Sequence, residues 1–167
     1  MLVLVAYGSK MGGTEGLAEM VADAFRTEGF DAEVRPAREV DDVGGYDVIV
    51  VGGSLYASRW HRDARRFVKR HAAELEFRPT YLFSSGPLDD SAAAGDIPPV
   101  RGVARLMRRI DAWGHVTFGG RMPADAKGFP ASAMAKSNAG DWRDRDHVAR
   151  WVHSVAGEVR DEERRAA

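Results

Sequence analysis

A chain of 167 residues, 44% of them hydrophobic and 29% charged, is long enough to bury one core and too apolar to default to disorder. It contains no cysteine, which excludes disulfides, thiolate-bound zinc, iron–sulfur clusters and thiol catalysis. The formal net charge of -1 offers no field for nucleic acid, and the five scattered histidines form no metal-binding pair.

The run Leu2 to Tyr7 is short, continuously apolar and ended by Gly8-Ser9, as a central parallel strand should be. It is too short to span a membrane, carries no signal cleavage site, and no later segment reaches spanning length. A cytoplasmic protein without a transmembrane segment is expected, with peripheral membrane contact left open. From Thr14 to Glu28 the spacing becomes helical, with Leu17, Met20, Val21, Ala24 and Phe25 on one face and Gly29 beyond the C-cap. Ala32 to Arg35 reads as a short strand ended by Pro36. Tyr46 to Gly53 is the clearest strand, β-branched and closed by two glycines.

A helix is expected over His61 to Leu75, with Ala64, Phe67, Val68, Ala72 and Leu75 inward and Arg62, Arg65, Arg66, Lys69 and Arg70 outward. Thr80 to Ser84 is a fourth strand. Pro98-Pro99 opens a helix whose buried stripe is Val100, Val103, Ala104 and Met107, and Val116 to Gly119 is a fifth strand. Gly120 to Gly140 has little periodicity and reads as a long loop or irregular insertion. A last helix covers Asp141 to Glu158. One domain is expected over 1–160, with 161–167 a charged tail that frays.

Strands alternating with helices demand a doubly wound α/β fold, a five-stranded parallel sheet with helices on both faces. Ligands in such folds bind beyond the carboxyl ends of the strands, which directs attention to the segments after Tyr7, Gly53, Ser84 and Gly119. The first of these, Ser9-Lys10-Met11-Gly12-Gly13-Thr14, is rich in small residues that let the backbone curl and turn N–H groups inward. Ser9 and Thr14 add hydroxyls, and the helix beginning near Thr14 adds free N–H groups and its positive end, so the segment suits a phosphate. It matches neither GxxxxGK[ST] nor GxGxxG. The plain alternative is a tight strand-to-helix turn capped by Thr14.

This loop resembles the phosphate loop of the flavodoxin family, in which a Ser or Thr opens the turn and a Thr closes it. Met11 stands where the family's T-x-T-G-N-T form has a second hydroxyl, and Gly13 where it has Asn, which moves the burden onto backbone N–H groups. Ser54 to Leu75 and Asp141-Trp142-Arg143-Asp144 are similar to the flavodoxin-type, quinone-linked protoporphyrinogen oxidases and to related bacterial flavodoxin-domain proteins. The resemblance implies a flavodoxin-like fold with strand order 2-1-3-4-5, bound flavin mononucleotide (FMN), and an oxidoreductase of the protoporphyrinogen oxidase type. A quinone, an acidic small substrate such as a porphyrin, or a redox partner protein would then be its partner. The basic, aromatic insertion that those oxidases carry before the last helix is missing here.

A flavin ring needs flat apolar walls and backbone groups for its polar edge. Ser54, Leu55, Tyr56, Ala57 and Trp60 follow the third strand, with Tyr56 favoured for the ring contact and Trp60 open between stacking and packing under the next helix. Ser84, Ser85, Gly86, Pro87 and Leu88 follow the fourth strand and offer backbone groups, or form only a turn. No arrangement of protein groups suggests acid–base or nucleophilic catalysis, so the flavin would carry the chemistry. Arg59, His61 and Arg62 flank the ring loop against Asp89 and Asp90, a local cation excess that favours a reduced, negatively charged ring and a potential above that of carrier flavodoxins. Two alternatives remain at this stage: an electron carrier between proteins, and a fold that has lost FMN.

Overall fold

The computed structural model describes residues 1–127 and 131–167. The elements are β1 (Leu2–Gly8), α1 (Gly13–Thr27), β2 (Asp31–Pro36), a 3-10 turn at Ala37–Glu39, β3 (Val48–Tyr56), β4 (Arg59–Trp60), α2 (Arg62–Arg70), α3 (Ala72–Leu75), β5 (Thr80–Ser85), α4 (Ser91–Ala94), α5 (Arg101–Arg109), β6 (Gly114–Phe118), β7 (Arg121–Met122), α6 (Ala131–Asn138), β8 (Gly140–Asp141) and α7 (Arg145–Ala166). The five long strands pair in parallel in the order β2-β1-β3-β5-β6, which is the expected 2-1-3-4-5 order of the main strands. Two short antiparallel pairs add to it, β3 with β4 and β7 with β8.

Each helix layer buries its own core against the sheet. Alternate strand residues such as Val3, Val5, Val48, Val50, Tyr81 and Phe83 face α1 and α7, where Leu17, Val21, Phe25, Val152 and Val155 meet them. Leu4, Ala6, Ile49, Val51 and Leu82 face the other way, against Phe67 and Val68 of α2, Val103 and Leu106 of α5, and Ile110 just beyond it. The continuous apolar runs of β1 and β3 follow from this burial on both faces.

Four expectations need correction. The helix over His61 to Leu75 is two helices broken at His71, because that region is tied sideways to the loop over Val40. Arg70 donates to the Val40 carbonyl at 2.7 Å, and His71 Nε2 lies 3.3 Å from the same oxygen. The stretch Gly120 to Gly140 is not one long loop, since it holds β7, α6 and β8; its residues 128–130 lie outside the described ones. The last helix starts at Arg145, where the Asp144 carboxylate accepts from the N–H groups of Asp146 and His147 at 2.9 and 3.2 Å. It runs through Ala166, so residues 161–166 of the charged tail continue α7.

Candidate functional site

The strand register brings the loops together. Gly8 of β1 sits opposite Gly53 of β3, and Ser54 sits opposite Ser85 of β5, so the three chains leave the sheet along one edge. A cleft opens there, lined by Ser9, Lys10, Met11, Gly13, Thr14, Ser54, Leu55, Tyr56, Ser85, Gly86 and Leu88, and by Gly120, Arg121 and Met122. The first three groups were expected from sequence. The last three were pointed to only by the rule that ligands gather after strand ends, and no role was given to Arg121.

The loop Ser9–Thr14 folds as its residues dictate. Gly12 takes a left-handed φ of 78°, which costs a glycine little, and its N–H donates to Ser9 Oγ at 3.0 Å. No side chain caps α1, so its first-turn N–H groups are not met from within the helix. Thr14 is 1% exposed, and its Oγ1 has no hydrogen-bond partner among the described residues. A buried hydroxyl left unpaired costs on the order of 1–3 kcal/mol. Native structures rarely carry that cost unless a ligand or water completes the bond. The cleft has a second such atom, the Tyr56 hydroxyl. A phosphate-bearing ligand with polar groups along its length fits this donor set.

The loop after β3 is a tight hairpin. β3 continues to Tyr56, the chain turns at Ala57 and Ser58 with φ of 47° and 60°, and β4 returns with Arg59 and Trp60. Two positive φ values in succession are the mark of a type I′ turn, normally filled by Asn and Gly. Strand alternation then sends Tyr56 and Trp60 to different places. Trp60 is 2% exposed, its indole N–H donates to the Phe83 carbonyl at 3.2 Å, and a Cβ on Gly53 would lie 2.5 Å from its Nε1. It packs in the α2 and α5 core, the packing alternative of the sequence reading, while still bordering the cavity beside the cleft. Tyr56 stays in the cleft, half-buried, with Lys10 Nζ 4.7 Å from its ring centroid. Ala57 is exposed and outside the cleft lining.

In the second ring loop, Ser85, Gly86 and Leu88 line the cleft, whereas Ser84 and Pro87 act behind it. Ser84 Oγ lies 2.9 Å from His115 Nε2. The Pro87 carbonyl accepts from Gly120 N–H at 2.8 Å, which joins this loop to the segment carrying Arg121. Leu55 leans across the gap, and a Cβ on Gly86 would meet its Cβ and Cδ1 at 3.1 Å. The cleft offers about 50 Å³, room for a few waters at roughly 10–15 Å³ each.

A larger cavity of about 430 Å³ adjoins the cleft through Lys10, Ser54 and Tyr56 and is rimmed by Arg59, His61 and Arg62. Burial and the surrounding arginines hold the His61 imidazole below its ordinary pKa. Its Nδ1 accepts from the Asp63 N–H at 3.2 Å, so it caps α2 as the neutral ring. The cations of this rim are therefore Lys10, Arg59 and Arg62, without His61. Neither Asp89 nor Asp90 lines the cleft; Asp89 accepts from Ser91 N–H at 2.9 Å, and Asp90 stands just before α4.

The same charge sign extends outward. α2 and α5 together carry nine exposed cations against the single acid Asp63, in a chain whose net charge is -1. Among the described residues only Arg62 of the nine forms an ion pair, with Asp63 at 3.6 Å. No helix among them is long and apolar enough to cross a membrane, and no group of acidic and histidine side chains could hold a metal ion.

Comparison with known proteins agrees with this geometry. Over 163 residues the chain is 24% identical to a flavodoxin of Maridesulfovibrio salexigens, covering 93% of this chain and 97% of that one. Over 86 residues it is 27% identical to the protoporphyrinogen IX dehydrogenase [quinone] of Escherichia coli K12, a match spanning half of this chain and 48% of that protein. Among solved structures, a flavodoxin from the domain Archaea superposes with a TM-score of 0.63 at 19% identity, over 96% of this chain and 99% of that one. A flavodoxin of Streptococcus pneumoniae gives 0.60 at 18% identity, over 97% and 99%. Residues 4–121 match the flavodoxin domain, a span that runs from β1 to Arg121 and holds every residue lining the cleft except Met122, and the chain belongs to that family.

Proposed function

We propose that this flavodoxin-like redox protein binds FMN, with the phosphate on Ser9–Thr14 and the ring between Leu55–Tyr56 and Ser85–Leu88. The observation that carries the reading is the pair of orphaned buried hydroxyls, Thr14 Oγ1 and Tyr56 OH, on residues lining one cleft. A fold that had abandoned its cofactor would have no reason to keep them unpaired. Thr14, Ser9 and the first N–H groups of α1 would hold the phosphate. Tyr56 would cover the ring, and the backbone around Gly86 would meet its polar edge. Bound FMN supplies one- or two-electron transfer, and its full reduction leaves negative charge on the ring.

We take the role to be that of an oxidoreductase for an anionic partner, such as a carboxylate-bearing porphyrin, with a quinone as electron acceptor. The groove rimmed by Lys10, Arg59 and Arg62 supports this, because it adjoins the ring site and carries the sign that attracts carboxylates. The same cations favour negative charge on the ring and raise its potential. A carrier passing electrons between proteins is the second reading, favoured by the likeness to a flavodoxin along nearly the whole chain.

Anaerobic mixing with protoporphyrinogen, followed at the flavin absorbance, separates the two. Reduction by the porphyrinogen is the expected result; reduction by a protein reductase alone would favour the carrier. A redox titration adds a second check. The potential should lie above that of acidic carrier flavodoxins and fall in Arg59→Glu/Arg62→Glu. A potential as low as theirs, unmoved by the double substitution, would sink the charge argument.

A further inference from the structure

We infer that Arg121, on the β7–β8 hairpin, is a phosphate clamp that replaces the side-chain donors missing from the loop Ser9–Thr14. The inference rests on the FMN reading above and concerns a residue far from the loop in sequence.

The loop is poor in donors of its own. Met11 and Gly13 offer no polar side chain, and Ser9, whose Oγ accepts from the Gly12 N–H, adds a single O–H donor. The space that a side chain at position 13 would take is used by Arg121. A Cβ on Gly13 would lie 3.3 Å from Arg121 Cβ and 3.5 and 3.6 Å from its backbone oxygen and nitrogen. Gly13 thus lets β7 pack directly on the first turn of α1. Arg121 lines the same cleft as Thr14, whose orphaned Oγ1 independently marks this helix end as a ligand site.

The hairpin is held firmly where this requires. Gly120 N–H donates to the Pro87 carbonyl at 2.8 Å, and Trp142 N–H donates to the Gly120 carbonyl at 2.9 Å. A Cβ on Gly119 would collide with the Trp142 carbonyl, so only glycine permits this approach. Across the ladder from Arg121 stands Asp141, whose carboxylate is already bound bidentately by Arg143 at 2.9 and 2.7 Å. Arg143, with a smaller contribution from the charge of Arg121, holds that carboxylate below the usual range. Among the described residues Arg121 makes no ion pair and no side-chain hydrogen bond. It is an exposed guanidinium beside an uncapped helix N-terminus, and the carboxylate it faces across the ladder is already hydrogen-bonded by Arg143. A guanidinium matches a phosphate monoester bidentately, and such charge-assisted bonds are about twice as strong as neutral ones. The loop's lost hydroxyl and amide are therefore exchanged for a cation delivered from the other end of the chain.

The clamp makes recognition of the phosphate partly ionic, and riboflavin, the same molecule without the phosphate, is the control. Titrating FMN and riboflavin into the wild type, Arg121→Gln and Arg121→Lys, with flavin fluorescence as readout, tests it. Arg121→Gln should weaken FMN about 10- to 100-fold, leave riboflavin unchanged, and flatten the salt dependence of FMN binding. Arg121→Lys should restore part of the loss, since it keeps the charge without the fork. Because Arg121 is exposed, the variants should melt at the wild-type temperature. FMN bound equally well by wild type and Arg121→Gln, or FMN and riboflavin weakened alike, would overturn the clamp while leaving the FMN site standing. A wild type that binds neither flavin would overturn the FMN reading itself, and the clamp with it.

Discussion

Replacing Thr14 by Val should stabilise the flavin-free protein and weaken its hold on FMN. Valine keeps the branched shape of threonine, so the change removes little besides the hydroxyl. In the structure that hydroxyl is buried, 1% exposed as a residue, and bonded to nothing among the described residues. Leaving it unpaired costs about 1–3 kcal/mol. Relief of even 1 kcal/mol should raise the melting temperature by roughly 2–4 °C in a domain of this size. In the FMN complex the same oxygen would bond a charged phosphate, an interaction worth about 1.5–3 kcal/mol. Its loss should raise Kd roughly 10- to 150-fold. Differential scanning calorimetry without flavin and a fluorescence titration with FMN measure the two effects. They should move in opposite directions. A Thr14→Val protein that melts lower and binds FMN as well as the wild type would refute the reasoning, because the hydroxyl would then serve the fold.

The hairpin at Ala57–Ser58 holds two non-glycine residues at positive φ, which costs roughly 1–2 kcal/mol per residue. Ser58→Gly should recover about 1 kcal/mol in urea unfolding, and no gain would mean that the turn is not strained there. Burial pushes His115 down to about 4, while its imidazole stays within 2.9 Å of Ser84 Oγ. The unfolded chain therefore binds a proton that the folded one refuses between about pH 6.5 and pH 4, and stability falls as pH drops through that window. Between pH 7 and pH 5 the loss assignable to this ring is about 2 kcal/mol. The difference between wild type and His115→Gln in denaturant midpoint across that range measures it, and parallel pH profiles would exclude His115 as the cause.

Much of the fold was legible because it is written in periodicity. Runs such as Leu2–Tyr7 and Val48–Gly53 carry no polar side chain except the Tyr7 hydroxyl, as expected of a sheet covered on both faces, and Leu17, Val21 and Phe25 mark the helix that covers one of them. The site loops were legible because the topology fixes where strands end. What sequence reasoning missed depends on contacts distant along the chain. His71 breaks a helix through bonds to Val40. The turn at Ala57–Ser58 lacks the Asn-Gly signature of its type, so the hairpin that buries Trp60 and exposes the Tyr56 side of the loop gave no local signal. β7 and β8 are two residues each, too short for any pattern. Arg121 was findable only as a lone cation just past Gly119-Gly120, at the carboxyl end of the last long strand.

The central claim is that the cleft between Ser9–Thr14 and the two ring loops holds FMN. Titrating FMN into the purified, flavin-free protein while following flavin fluorescence tests it most directly. Saturable quenching with one FMN per chain is the predicted result. Fluorescence that stays that of free FMN at every protein concentration would contradict it.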